Sequence, residues 1–72
     1  MLNLKTAPVG EELIVRSIET DDEELDAFLF SLGCYSGEPV TVVSRRRSNC
    51  VIAIKEARYC IDTQLAEAIT VA

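Results

Sequence analysis

The sequence predicts a small, mainly β domain (a small α+β fold) in which five short strands form a barrel and one α-helix lies between the first and second strands. Three observations predict it. Apolar residues repeat with a helical period of 3.6 before residue 33 and alternate with a period of two after residue 37. Glycine or polar residues typical of turns separate the strand-like runs. Because a chain of 72 residues has a thin core, closure into a barrel is an economical way to remove exposed sheet edges, and residues 1–72 are expected to form a single domain.

The first strand is expected in the segment EELIVRSIE, residues 11–19. Leucine, isoleucine and valine dominate this segment but do not alternate cleanly between two faces. A β-bulge near Arg16 would reconcile the two halves of the pattern.

The helix is expected over about residues 21–32. Thr20 is the predicted N-cap, Glu23 would complete a capping box, and Gly33 follows the last turn. Four apolar residues at i, i+3, i+4 and i+7 predict one buried stripe: Leu25, Phe28, Leu29 and Leu32. Phe30 lies about 140° from Leu25 around the helix and is expected to be partly exposed.

Alternating segments follow the helix. PVTVVS (39–44) and CVIAIK (50–55) each place apolar residues on one face, which predicts two strands joined by the polar hairpin tip RRRSN (45–49). Three short elements are expected after them: a strand in RYCID, one helical turn in TQLAE and a last strand in AITV.

Composition excludes several classes of function. Histidine is absent, which removes the commonest general base and a common metal ligand. The cysteines at 34, 50 and 60 lack zinc-site spacing, and no phosphate-binding loop or paired carboxylate site is found. We therefore predict no catalytic residue, no metal site and no cofactor. The formal net charge of −5 argues against nucleic acid as the main ligand.

The location of the protein is predicted from the lack of targeting signals. The first residues lack the pattern of a signal peptide, and no apolar run approaches the length of a membrane span. The protein is expected to be cytoplasmic, peripheral to a membrane at most, with its thiols reduced.

Three segments resemble the FeoA family, ferrous iron transport protein A: LKTAPVGEELIVRSI, FLFSLGCYSGEPVTVVS and QLAEAITV. The most specific motif is the helix end, where Leu29, Leu32, Gly33, Cys34 and Gly37 occupy the family's positions. The resemblance implies an SH3-like β-barrel that is not an enzyme and that serves as a cytosolic accessory of the membrane transporter FeoB, which has a GTPase domain. Two alternatives stay open: an SH3-like regulatory module related to the C-terminal domain of iron-dependent repressors, and a small metal chaperone.

The sequence departs from the family pattern in three places. Ser36 stands where proline is usual, which should loosen the turn. RRRSN replaces a longer loop, and Asp62 falls where arginine is frequent, so an anion contact there is not expected.

The candidate site residues are of two kinds. Gly33 and Gly37 are interpreted as structural turn residues with positive φ. The hypothesis for partner binding joins two aromatic residues and a possible charged rim: Phe30, Tyr35, Arg45, Arg46 and Arg47.

The cysteines and the acidic run have simpler interpretations. Cys34 and Cys50 are expected in the core, whereas Cys60 is expected to face outward. Six of the eight residues from 19 to 26 are acidic. We interpret most of them as residues that stabilise the start of a helix, rather than as metal ligands.

Overall fold

A computed structural model describes residues 2–72 of the chain. These residues form a five-stranded antiparallel sheet with two short helices, in the order β1 (Glu12–Ile18), α1 (Glu23–Leu32), β2 (Pro39–Arg45), β3 (Asn49–Ile54), β4 (Ala57–Asp62), α2 (Thr63–Glu67) and β5 (Ile69–Val71). The strand order in the sheet is β4-β3-β2-β1-β5. The predicted mainly β fold, with the longer helix between β1 and β2, is confirmed.

The core is made of apolar side chains from all five strands, both helices and two loops. Alternation within β2 and β3 places Val40 and Val42 on the same inner face as Ile52 and Ile54. Among the described residues no polar or charged residue is buried as a whole. The buried apolar residues are Leu4, Ala7, Val15, Leu29, Cys34, Val40, Val42, Cys50, Ile52, Ile54, Ile61, Leu65, Ala66, Ile69 and Val71.

Two β-bulges change which face the following residues occupy. The bulge in β1, between Val15 and Ser17, confirms the irregularity expected near Arg16. The second bulge lies in β2 between Val42 and Ser44. It shifts the alternation by one residue, so that Arg45, opposite Cys50, turns towards the inner face of the sheet.

Helix α1 begins two residues later than expected. Its N-cap is Asp22, whose carboxylate accepts from the backbone N–H groups of Glu24 at 2.9 Å and Leu25 at 3.2 Å. The predicted N-cap, Thr20, was therefore wrong. Asp21 adopts a left-handed φ of 56°, so the helix cannot extend back through this residue. The Thr20 hydroxyl instead forms hydrogen bonds with the backbone of Asp22 and the carboxylate of Asp26.

The apolar stripe of α1 is only partly covered. Leu29 is completely buried and Leu32 is half-buried, but 38% of Leu25 and 47% of Phe28 remain exposed. The expectation of one buried stripe was wrong, because the helix contacts the core through Leu29 and Leu32. Apolar surface is left uncovered at Leu25 and Phe28.

The connection from α1 to β2 depends on two glycines. Gly33 ends the helix at φ 91°, and the following amide of Cys34 donates to the Leu29 carbonyl at 2.9 Å. Gly37 has φ 94° in a turn closed by a hydrogen bond from the Glu38 amide to the Tyr35 carbonyl at 3.1 Å. The positive φ predicted for both glycines is confirmed.

Ser36 ties this turn to the sheet. Its hydroxyl donates to the Arg16 carbonyl in β1 at 3.0 Å. The residue expected to loosen the turn therefore makes a contact that proline could not make.

The N-terminal segment is packed against the sheet, which the sequence did not predict. Leu4 and Ala7 are buried, and the Leu4 amide donates to the carbonyls of Ala66 at 3.2 Å and Ile69 at 3.1 Å. The guanidinium of Arg45 donates to the carbonyls of Leu4 and Ala7. Arg45 thus fastens residues 4–7 to the end of β2.

Candidate functional site

Phe30 and Tyr35 form an exposed aromatic pair where α1 ends. Their ring centroids are 4.9 Å apart, with ring planes inclined at 34°. Phe30 is 65% exposed, which confirms its predicted position outside the core, and Tyr35 is half-buried. Two aromatic rings held together present a larger and more rigid apolar surface than either ring alone.

Lys55 extends this surface with a positive charge. Its ammonium lies 5.8 Å from the centroid of the Tyr35 ring and 3.1 Å from a carboxylate oxygen of Glu38. Its hydrogen bond to Glu38 and the charge of that carboxylate raise the pKa of Lys55, so the cation is maintained. We refer to Phe30, Tyr35 and Lys55 as the aromatic patch.

Backbone geometry positions Lys55 within the aromatic patch. It lies with Glu56 in the two-residue turn between β3 and β4 and has a left-handed φ of 56°. A Cβ atom on Gly33 would lie 3.0 Å from Cε of Lys55. Glycine at the helix end therefore leaves space for the lysine stem as well as supplying the positive φ.

The three consecutive arginines lie away from the aromatic patch. Tyr35 lies four residues before Pro39, the first residue of β2, whereas Arg45 is the last residue of that strand. A seven-residue strand spans about 20 Å, so the structure does not bring the arginines to the aromatic pair. Arg46 and Arg47 are exposed at the hairpin tip. Arg45 is half-buried and directs its guanidinium inward, so it does not join Arg46 and Arg47 as part of an exposed charged rim.

A groove with a volume of about 380 Å³ lies between α1 and α2, and we call it the α1–α2 groove. Its lining contains three apolar residues, Leu25, Leu65 and Ala68, and three acidic residues. The lining residues are Glu19, Thr20, Leu25, Asp62, Gln64, Leu65, Glu67 and Ala68. The sequence did not predict this groove, because residues 19–25 and 62–68 meet only in the folded sheet.

The groove carboxylates have different surroundings. Asp62 is the N-cap of α2 and accepts from the Leu65 amide at 2.7 Å. Aspartate at this position therefore has a structural role, because it is a favourable N-cap residue. Glu67 lies 3.5 Å from the ammonium of Lys5, and both side chains are largely exposed. Glu19 is the third acidic residue of the groove lining.

The family model described as "FeoA domain" matches residues 2–72. The chain belongs to the FeoA domain family. A comparison with curated protein sequences gives no significant match.

Solved structures show the same fold at low sequence identity. The domain matches an iron uptake regulatory protein (FeoA) with a TM-score of 0.87 and 22% identity, over 97% of this chain and 93% of the other. FeoA of Stenotrophomonas maltophilia, a prokaryotic SH3 domain protein solved with zinc, matches with a TM-score of 0.86 and 18% identity, over 100% and 91%. A manganese-dependent transcriptional repressor matches with a TM-score of 0.85 and 23% identity, over 94% of this chain and 39% of the repressor. The SH3-like fold is thereby confirmed.

The FeoA domain offers few groups for metal binding or covalent chemistry within residues 2–72. No cluster of three or more histidine, cysteine or acidic residues is arranged there to hold a metal ion. Cys34 and Cys50 are buried and Cys60 is exposed, as predicted. Burial raises the pKa of Cys34 to about 11 and also raises that of Cys50, so both buried thiols stay protonated at neutral pH. None of the helices in this part of the chain is long and apolar enough to cross a membrane.

Proposed function

We propose that this FeoA domain is a non-enzymatic, cytoplasmic accessory protein of ferrous iron uptake that acts by binding a FeoB-type membrane transporter. The observation that carries the proposal is the family match over residues 2–72. The SH3-like fold is compatible with it by analogy, since SH3 domains bind peptides in aromatic-lined grooves. The formal net charge of −5 favours a protein partner over nucleic acid.

The aromatic patch is the proposed contact surface for the transporter. Aromatic residues are enriched among residues that dominate binding energy, and Phe30 is 65% exposed. Lys55 beside Tyr35 adds a charge that can select an acidic or hydrogen-bonding neighbour on the partner. Arg46 and Arg47 would form a separate contact, reached only by a partner that spans the length of β2.

The experiment compares Phe30→Asp with Val9→Asp, a control in which another exposed apolar residue is changed. Val9 is 51% exposed and lies outside the aromatic patch. Each purified domain is titrated against the cytosolic domain of the FeoB-type transporter, and unfolding in urea is measured in parallel. Phe30→Asp should weaken binding at least about tenfold while changing the free energy of unfolding by less than about 1 kcal/mol. Val9→Asp should leave binding unchanged.

Two results would contradict the proposed surface. A folded Phe30→Asp domain that binds as well as the unchanged chain would place the interface elsewhere. Lack of binding by the unchanged domain to the transporter, with nucleotide present or absent, would contradict the proposed partner itself.

The second candidate is an SH3-like regulatory module, which the fold shared with part of the manganese-dependent repressor favours. The neighbouring reading frame discriminates between the two. A long membrane protein with a P-loop GTPase encoded beside this chain supports the transporter accessory, whereas an adjacent DNA-binding protein supports the regulatory module.

A further inference from the structure

We propose that the α1–α2 groove is a second docking site, which binds a protein segment carrying arginine or lysine beside aliphatic side chains. This site lies on the side of α1 away from Phe30, since Leu25 and Phe30 point in directions about 140° apart around the helix. It is therefore a different surface from the aromatic patch and does not depend on the identity of the transporter.

The apolar part of the site is surface that the fold leaves uncovered. Leu25 is 38% exposed and contributes to the groove, with Leu65 and Ala68 on the α2 side. Phe28, at position i+3 from Leu25 on the helix, is 47% exposed and extends the apolar surface beyond the groove. A side chain that covers this surface removes apolar area from water, which favours binding.

The charge around the groove decides what kind of segment fits. Three lining residues, Glu19, Asp62 and Glu67, are acidic, and none of the lining residues is basic. The adjacent first turn of α1 adds Glu23, Glu24 and Asp26. Lys5, beside Glu67, is the basic residue that forms an ion pair at this rim. The resulting negative potential attracts cations and repels acidic peptides and anionic lipid head groups.

Arginine and lysine side chains match both parts of this surface. Their aliphatic stems can lie on Leu25, Leu65 and Ala68 while the charged end reaches the carboxylates at the rim. A segment with aliphatic neighbours would also cover Phe28.

Three synthetic peptides of equal length test the proposal. The first is an amphipathic helix with leucine at i, i+3, i+4 and i+7 and with arginine and lysine at the other positions. In the second, glutamate replaces the basic residues, and in the third, serine replaces the leucines. Binding is measured by fluorescence anisotropy and located by amide chemical shifts of the 15N-labelled domain. The first peptide should bind at least about tenfold more tightly than either other peptide and should shift Leu25, Leu65 and Ala68.

Matched variants separate a local site from general attraction. Glu19→Lys with Glu67→Lys alters the rim, while Glu11→Lys with Glu56→Lys alters exposed residues outside the groove. Each pair raises the formal net charge of −5 by four. The rim pair should weaken binding of the first peptide at least about tenfold, whereas the control pair should have a smaller effect, of the size that added salt produces. Phe30→Asp should leave peptide binding unchanged, so failure of the transporter proposal does not affect this result.

Other outcomes overturn the proposal. Equal losses in both charge variants would show general electrostatic attraction. Shifts confined to Phe30 and Tyr35 would assign peptide binding to the aromatic patch. If vesicles of phosphatidylserine and phosphatidylcholine shift the amide resonances of the groove residues, the groove binds a membrane instead. If analytical ultracentrifugation shows a dimer that the rim pair abolishes, the groove binds a second copy of this chain.

Discussion

Replacement of Arg45 by methionine should release the N-terminal segment from the sheet. Methionine keeps most of the side-chain length but removes the guanidinium that donates to the carbonyls of Leu4 and Ala7. Each hydrogen bond from a charged donor contributes about 1.5–3 kcal/mol. Against this loss stands one gain, because Nε of Arg45 is buried without a hydrogen-bond partner among the described residues. Removing that unpaired donor should raise the free energy of unfolding by about 1–3 kcal/mol.

The balance predicts a net loss of about 2 kcal/mol in the free energy of unfolding. A domain of this size is expected to have a total of about 4–11 kcal/mol, so the loss is substantial. It corresponds to a decrease in Tm of roughly 8–16 °C. Urea and thermal unfolding measure the change, and hydrogen exchange of the Leu4 amide reports whether the segment has separated from Ala66 and Ile69.

Arg46→Met is the matched control, because Arg46 is exposed at the hairpin tip and is the same residue type. It should change the free energy of unfolding by less than about 0.5 kcal/mol. Equal stability of the two variants, with the Leu4 amide equally protected from exchange, would refute the reasoning that Arg45 holds the segment in place.

Three further predictions concern the turns, the buried thiol and iron. Gly33→Val and Gly37→Val should each lower the free energy of unfolding by more than about 1 kcal/mol, because φ is near 90° at both, and urea unfolding measures it. Since burial raises the pKa of Cys34 to about 11 from 9.0, stability should be unaffected by this thiol below pH 9 and should fall as the pH rises to 11. Urea unfolding from pH 9 to pH 11 should show a smaller decrease in the free energy of unfolding for Cys34→Ala than for the unchanged chain. Ferrous iron should bind no more tightly than about millimolar in anaerobic calorimetry, and a stoichiometric micromolar site would revive the metal chaperone.

The sequence predicted those parts of the fold that depend on local pattern. Alternation in β2 and β3 identified the buried valines and isoleucines, and Gly33 marked the end of the helix correctly. These signals are reliable because the period of two in strands and the positive φ after helices follow from backbone geometry. The start of the helix was missed, since Thr20 and Asp22 are both good caps and the left-handed Asp21 decides between them.

The features that the sequence missed depend on contacts between distant residues. Arg45 follows a bulge in β2, and nothing in a run of three arginines shows that the first turns inward. The apolar positions of α1 predicted a stripe, but the extent of its coverage depends on how the helix approaches the sheet. Of the candidate site, Phe30 and Tyr35 were predicted, while Lys55 joins them only through the turn between β3 and β4.

The N-terminal segment also determines which edges of the sheet are open. One edge of β5 pairs with β1. The other edge of β5 is covered by the N-terminal segment, because the Val71 amide donates to the Leu2 carbonyl at 3.0 Å and Thr70 forms a β-bridge with Asn3. An unpaired strand edge is a template for addition of a strand from another molecule. A chain shortened by its first seven residues would present the backbone groups of β5 as such a template and would uncover part of the core. Loss of this short segment should therefore favour aggregation through strand addition at β5.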